Sequence, residues 1–337
     1  MAEIKHKHMV AILRVLRDAG GPLGSSAISR RIQAYGVSVS DRTVRWYLQE
    51  MQRKGLVTKA RRGRVGGTMI TDLGIDEIKG ALVTSRVGFT AAKVDTLAWR
   101  MSFDLMTRKG QIALNVSLID QLDIFRAVDE MTPVFESGLG MGEYALYAKA
   151  GERIGDLKVP EGKAAIGSVC SVTVNGVLLK AGIPTVSRFG GVLEMNEGRP
   201  VRFTDMIYYD GTSLDPLEIF IKGGLTSVRD AVATGRGRIG AGFREVPTAA
   251  LGEVEQIDKL LRKSGLGAIL VIGAPNQPLL DFPVQEGRTG IVLAGGLNPA
   301  AAVEEAGIPT TNFALSCLVD IERMVRYTRL GPVVRHR

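Results

Sequence analysis

The sequence predicts an α+β / α/β protein in two parts: an N-terminal winged helix–turn–helix, then a larger, duplicated α/β domain. Three observations predict it. The first 80 residues show three helical periodicities running into a basic two-strand hairpin. Of the 43 Lys and Arg, 15 fall in residues 1–80, against 7 of the 35 Asp and Glu, which leaves the other 257 residues balanced at 28 of each. Behind residue 96, a block reading strand, asparagine, helix and Ala-Gly-Ile-Pro-Thr occurs twice, at 167–185 and 290–310.

In the N-terminal segment, Met9, Ile12, Leu13 and Leu16 recur at helical spacing over residues 8–19, and Gly20-Gly21-Pro22 ends the run. Ser25 is placed to cap a second helix through Ile28 and Ile32 to Gly36. Ser40 is placed to cap a third, whose Val44, Leu48 and Met51 form an inward stripe before Gly55 stops it. Its other face carries Arg42, Thr43, Arg45, Trp46, Gln49 and Arg53. Arginines there suit guanine edges or phosphates, and Thr43 and Gln49 suit base edges or phosphate oxygens, so this is the candidate recognition helix. Residues 56–60 and 68–71 read as strands around a flexible tip bearing Arg61, Arg62 and Arg64, suited to a minor groove or a phosphate ridge. A net +8 confined to one small module is what binding a polyanion through that module requires.

Residues 72–85 continue as a helix with Leu73, Ile78 and Leu82 as inward candidates, and 81–96 serve as the connector, giving a DNA-binding domain over 1–80 and a second domain over 97–330. Residues 101–119 read as a hairpin turning at 107–110, and 120–131 as an amphipathic helix. The repeat divides the second domain into halves at about 97–222 and 223–325, which are expected to pack about an approximate twofold. A weaker echo, Arg153-Ile-Gly with Val159-Pro160 and Arg238-Ile-Gly with Val246-Pro247, precedes each copy. In each copy the helix is expected to start at Asn175 or Asn298 and to end with Gly182 or Gly307 in the left-handed conformation. Such a helix start favours a carboxylate or phosphate; simple capping by the asparagines explains the spacing equally well.

Composition narrows the function classes. Apolar residues make up 45% and charged residues 23%, ordinary values for a globular chain. No apolar run approaches the roughly 18 residues of a membrane span and the first residues lack a signal-peptide pattern, so a cytoplasmic location without membrane contact is expected. Cys170 and Cys317 sit in separate apolar segments and read as buried, reduced thiols. The three histidines, His6, His8 and His336, lie at the termini, which removes histidine bases, Ser-His pairs and histidine metal sites from any folded pocket. Gly235 to Gly240 spells GxGxxG without the strand before it or the helix after it that dinucleotide binding needs. A non-enzyme is expected. Two alternatives stay open: an RNA-binding winged helix, opposed by the absence of a series of stacking aromatics, and an enzyme using carboxylates without histidine.

The winged helix, the segment RVGFTAAKVDTLAWRM at 86–101, the segment GSVCSVTVNGVLLKAGIPTVSRFGG at 167–191 and the second AGIPT occur in this order. In that combination the chain resembles the NrpR family of transcriptional repressors over nearly its full length. The resemblance implies repression of nitrogen-assimilation genes, nitrogenase and glutamine synthetase operons among them, by a homo-oligomer, dimer or tetramer, on palindromic double-stranded operator DNA. It implies release by 2-oxoglutarate and no cofactor. It also associates the effector response with the cysteine segment, so Cys170, Ser171, Thr173 and Asn175 become the candidate effector-site residues. Lys180 and Arg188 are the nearby cations suited to a dicarboxylate. Some family members carry two regulatory domains behind the winged helix; this sequence has one.

Overall fold

The computed structural model describes residues 2–35, 37–60, 66–80, 89–267 and 269–336. The chain forms two compact units, Met1–Arg86 and Val87–Arg337.

In the first unit, α1 (Ala2–Ala19) begins well before residue 8, because nothing in residues 2–7 breaks a helix. Its Ile12, Leu13 and Leu16 are buried. Helix α2 (Ser25–Arg31) takes Gly24, not Ser25, at its N-cap, and residues 32–35 tighten into a 3₁₀ turn. Helix α3 (Asp41–Arg53) is capped as its sequence implies: the Ser40 hydroxyl accepts the Thr43 N–H at 3.2 Å. Val44, Tyr47, Leu48 and Met51 are its buried stripe. Strands β1 (Val57–Lys59) and β2 (Thr68–Ile70) pair antiparallel with Val57 opposite Ile70. Helix α4 (Asp72–Gly80) packs on α1 through buried Ile78, whereas Leu73 is largely exposed. Leu82 lies outside the described residues, as do Gly36 and the hairpin-tip arginines 61, 62 and 64.

The second unit opens with α5 (Phe89–Arg100), so residues 89–96 of the expected connector are helical, with Val94 buried and the Thr90 hydroxyl donating to Leu214 O at 3.3 Å. Of the hairpin expected over 101–119, only the second arm forms, as β3 (Gln111–Asp120). The first arm is a loop, because the Asp104 carboxylate accepts the N–H groups of Met106 and Thr107 and leaves a single bridge, Asp104 to Lys109. Helix α6 (Ile124–Glu136) starts four residues later than its periodicity implies, since Asp120 accepts the Leu122 N–H in a turn and Leu122 is exposed.

Next come β4 (Tyr144–Ala148), a minimal hairpin of β5 (Arg153–Ile154) and β6 (Leu157–Lys158), β7 (Lys163–Val169), α7 (Val172–Lys180), β8 (Val186–Asn196) and β9 (Arg199–Tyr208). They are followed by α8 (Pro216–Lys222), α9 (Val228–Thr234), β10 (Gly237–Pro247), α10 (Leu251–Lys263), β11 (Ile269–Ile272) and β12 (Arg288–Ala294). The chain closes with α11 (Asn298–Glu305), β13 (Thr310–Asp320), β14 (Val325–Arg326) and α12 (Leu330–His336). The duplication is visible as β3-α6-β4-β7-α7-β8 against β10-α10-β11-β12-α11-β13. The weaker echo is not part of it: Arg153 lies in the minimal hairpin, Arg238 at the start of the long β10.

The two halves do not form separate sheets. The sheet orders are β13-β3-β7-β4-β14 and β11-β12-β10-β8-β9, with every pair antiparallel. The first half's last strand, β8, thus joins β10 of the second half, and the second half's last strand, β13, joins β3 of the first. This reciprocal exchange gives an approximate twofold and makes the body one folding unit. It also buries both faces of the central strands, so β10 runs through the interior for almost its whole length.

Candidate functional site

On α3 the described outward residues are laid out as the sequence implies. Arg42, Arg45, Trp46, Gln49 and Arg53 are exposed and Thr43 is half-buried. Thr43 shares a 2.9 Å hydroxyl contact with Ser40, and Arg45 pairs with Asp41 at 2.8 Å. The Asp41 carboxyl is held below its usual range, first by a hydrogen bond from Ser25. Arg45, Gln49 and Gln52 of α3 line a groove of about 400 Å³ whose other wall is Lys59, Ala60 and residues 66–68 of the hairpin. A helix with an exposed polar face beside a hairpin is the surface by which winged helices engage a nucleic-acid groove.

In the body, the repeated helices end as expected, with Gly182 at φ 78° and Gly307 at φ 79°. Helix α11 starts at Asn298 as expected, whereas the start of α7 differs. Helix α7 begins at Val172, three residues before Asn175, so Asn175 caps nothing. Its amide donates to the Ser187 hydroxyl at 2.9 Å and its oxygen accepts the Arg244 Nε–H at 3.3 Å. Counting back from the shared Ala-Gly-Ile-Pro-Thr, the true counterpart of Asn298 is Thr173. The two do the same work: Asn298 exchanges hydrogen bonds with both main-chain groups of Gly240, and Thr173 with both of Ala113, at matching places on β10 and β3.

The chemistry gathers at the start of α7. Cys170 and Ser171 line a cavity with Asn115, Tyr209, Asp215, Arg244, Gly296 and Leu297, and Val94 and Leu315 close it. Its free volume is about 10 Å³, room for one water. Burial pushes the Cys170 thiol up to about 11, so it stays protonated at neutral pH. Burial likewise raises the Asp215 carboxyl and the Tyr209 phenol above their usual ranges. Glu218, one turn along α8, is pushed up to about 7 by burial and accepts the Ala314 N–H.

Arg244 dominates this site. It is the largest fully buried side chain in the body, 1% exposed. Among the described residues no carboxylate lies within 4.0 Å of its guanidinium. Its hydrogen-bond partners include Asn175 at 3.3 Å, Phe243 O at 3.1 Å and Ser171 at 3.5 Å, the Tyr209 ring lies 5.1 Å away at its centroid, and its charge acts on the Asp215 carboxyl across the cavity. Burying a charge is costly, and buried charges are ordinarily paired and hydrogen-bonded.

The other sequence candidates lie elsewhere. Thr173 is wholly buried on Ala113. Lys180 is exposed at the end of α7, where its charge helps lower the Asp104 carboxyl after the hydrogen bonds from Thr107. Arg188 lies 3.6 Å from the buried Glu245 carboxylate, whose oxygens have no hydrogen-bond partner, and it does not line the cavity. Asn115, Tyr209, Asp215 and Arg244 were not singled out from sequence. The available signal was an Arg-Glu pair inside the otherwise apolar, glycine-rich run from 239 to 247.

A winged helix with an exposed cationic face, followed by a body with a buried cation, is the plan of a winged-helix regulator. Residues 87–326 match the family described as NrpR regulatory domains NRD1 and 2, and residues 10–78 match the ribonuclease R winged-helix domain. The chain is 32% identical over 318 residues to the global nitrogen regulator NrpRI of Methanosarcina mazei, covering 94% of this chain and 97% of that one. It is 27% identical to the global nitrogen regulator NrpR of Methanococcus maripaludis over 95% of this chain and 55% of that one. A crystal structure of a nitrogen repressor-like protein from Methanococcus jannaschii matches with a TM-score of 0.60 at 28% identity, over 70% of this chain and 97% of that one. The chain belongs to the NrpR family of nitrogen regulators.

Proposed function

We propose that this protein represses nitrogen-assimilation genes by binding palindromic operator DNA as a homo-oligomer, and that 2-oxoglutarate releases it. The observation that carries the effector half is Arg244: a guanidinium 1% exposed, without a carboxylate partner, at the start of the helix that follows Cys170. The DNA half is supported by the exposed row Arg42, Arg45, Gln49 and Arg53 beside the hairpin groove.

The size of the cavity links binding to gating. Small-molecule sites typically measure roughly 300–1,000 Å³, whereas this one holds about 10 Å³. 2-Oxoglutarate therefore binds only a form in which the walls have parted. One wall, Val94, belongs to α5, the element through which the chain enters the body from the N-terminal unit, and Lys93 beside it donates to Ala314 O at 3.4 Å. Displacing α5, the first described element after the DNA-binding unit in sequence, is the link by which the ligand acts on operator binding. Complete release requires the ligand to prefer the open form by roughly 5 kcal/mol.

The test is fluorescence anisotropy at fixed salt with duplex DNA from upstream of the glutamine synthetase gene, an RNA of the same sequence, and 2-oxoglutarate. Duplex binding weakened by 2-oxoglutarate supports the proposal. Preference for the RNA would favour an RNA-binding regulator, and duplex binding indifferent to 2-oxoglutarate would remove the effector half.

A further inference from the structure

The body is duplicated, yet its anion-binding features occur once, and they lie where the two halves meet. The turn entering α7 and the turn entering α11 correspond residue by residue: counting back from Ala-Gly-Ile-Pro-Thr, Cys170 matches Gly295 and Ser171 matches Gly296. The matching main-chain bonds agree, since Cys170 N–H donates to Ala113 O at 2.8 Å and Gly295 N–H to Gly240 O at 2.9 Å. These equivalent turns touch. The Ser168 hydroxyl donates to Gly296 O at 2.7 Å, and a β-carbon on Gly296 would stand 2.2 Å from Val169 O. Equivalent points in contact must flank the approximate twofold axis, so the cavity lies beside that axis with both helix starts opening on it.

The side chains break the symmetry. Arg244 on β10 stands opposite Ser187 of β8, and the matching position on β3, opposite Asn312 of β13, is Ser117. Asn175, which holds Arg244, is matched by Ala300. The mirror-related position therefore carries no charge. On the cavity side, Asn115 is 3% exposed, its oxygen accepts the Leu315 N–H at 3.1 Å, and its amide nitrogen stands against Gly296, 2.5 Å from where a β-carbon there would be. That is a donor on the wall of the same small space that Arg244 lines.

We infer that each chain holds a single dianion, seated on the local axis between the starts of α7 and α11, with Arg244, the Asn115 amide and the Ser171 hydroxyl as its ligands. This rests on the proposed effector response and fixes its stoichiometry and seat. The charges fit: the guanidinium and the two helix starts favour a dianion, and burial raises the Asp215 carboxyl on the same cavity above its usual range, which disfavours its negative form. Duplication supplied the paired helix starts, and the single arginine decided that they form one site.

The experiment is isothermal titration of the full chain with 2-oxoglutarate, on the natural sequence and on three variants. One ligand per chain is expected. Asn115→Asp keeps the acceptor for Leu315 and sets a carboxylate against the anion, and should weaken binding at least tenfold with the melting curve retained. Arg244→Lys keeps the charge, loses the planar fork and should weaken binding roughly tenfold or more. Ser117→Ala should bind as the natural chain does. Two ligands per chain, or tight binding by a folded Asn115→Asp protein, would overturn the single axial site and leave the repressor proposal standing. No binding to the natural chain would overturn both.

Discussion

Arg244→Met should make the body no less stable while abolishing its response to ligand. The native guanidinium is fully buried, and its bonds to Asn175 and Ser171, at 3.3 and 3.5 Å, are at the long limit. Desolvating an ion costs several kcal/mol, and neutral partners return about 1 kcal/mol each with a comparable amount from the Tyr209 ring. Methionine fills similar space without charge, although it leaves the Asn175 oxygen without its donor. The net change is a stabilisation of about 0–2 kcal/mol, or a rise of up to roughly 6 °C in Tm for a unit of this size. Removing one partner of a buried charge pair costs binding about 2–5 kcal/mol, so 2-oxoglutarate affinity should fall by a factor of roughly 30 or more. Calorimetric melting and titration of the same sample measure both. A Tm lowered by many degrees would show that Arg244 is a structural group and refute the assignment of its charge to a ligand.

The remaining expectations concern pH, thiol chemistry and the nucleic-acid face. Glu218, raised from 4.5 to about 7, binds its proton in the folded state between those values while the unfolded chain has released it, so stability should fall as pH rises from about 4.5 to 7 and level off above. After allowance for its partial exposure the effect is roughly 1–2 kcal/mol, and Glu218→Gln should remove that slope from the Tm-against-pH curve; an unchanged slope would show the source lies elsewhere. Cys170, pushed up to about 11, should carry about 100-fold less thiolate than an ordinary cysteine and alkylate correspondingly slowly until the protein is unfolded; mass-mapped iodoacetamide labelling at pH 8 reads this, and rapid native labelling would contradict it. Arg45→Ala should relax discrimination among operator sequences, whereas Arg62→Ala should weaken all duplexes alike and flatten the salt slope by about one ion. Identical behaviour of the two variants across sequences would refute the division into reader and clamp.

The N-terminal unit was legible because its signals are local. Ser40 caps α3, the spacing of Val44, Leu48 and Met51 sets the buried face, and the hairpin registers over three residue pairs. The body depends on contacts that sequence order conceals. The repeat was visible, but not that β8 and β13 change sheets, because strand pairing at long range leaves no local mark. Identity misled at the asparagines: Asn175 and Asn298 look equivalent, and the hydrogen bonds to Ala113 and Gly240 show that Thr173 is the partner of Asn298. Arg244 escaped notice because an Arg-Glu step in a strand ordinarily faces solvent, and only the placement of β10 between β8 and β12 buries it. Cys170 lies on the cavity that Arg244 also lines, but its own thiol is a neutral wall and the charge comes from a residue more than 70 positions later.

The central claim is that ligand and DNA compete through two forms of the protein, and linkage tests it directly. The affinity of 2-oxoglutarate should be measured by titration with the free protein and with the protein saturated by operator duplex, at one salt concentration. If ligand binding requires the opened cavity and DNA binding the closed one, affinity should be at least 100-fold weaker on the DNA-bound protein. Equal affinity in the two titrations would contradict the claim.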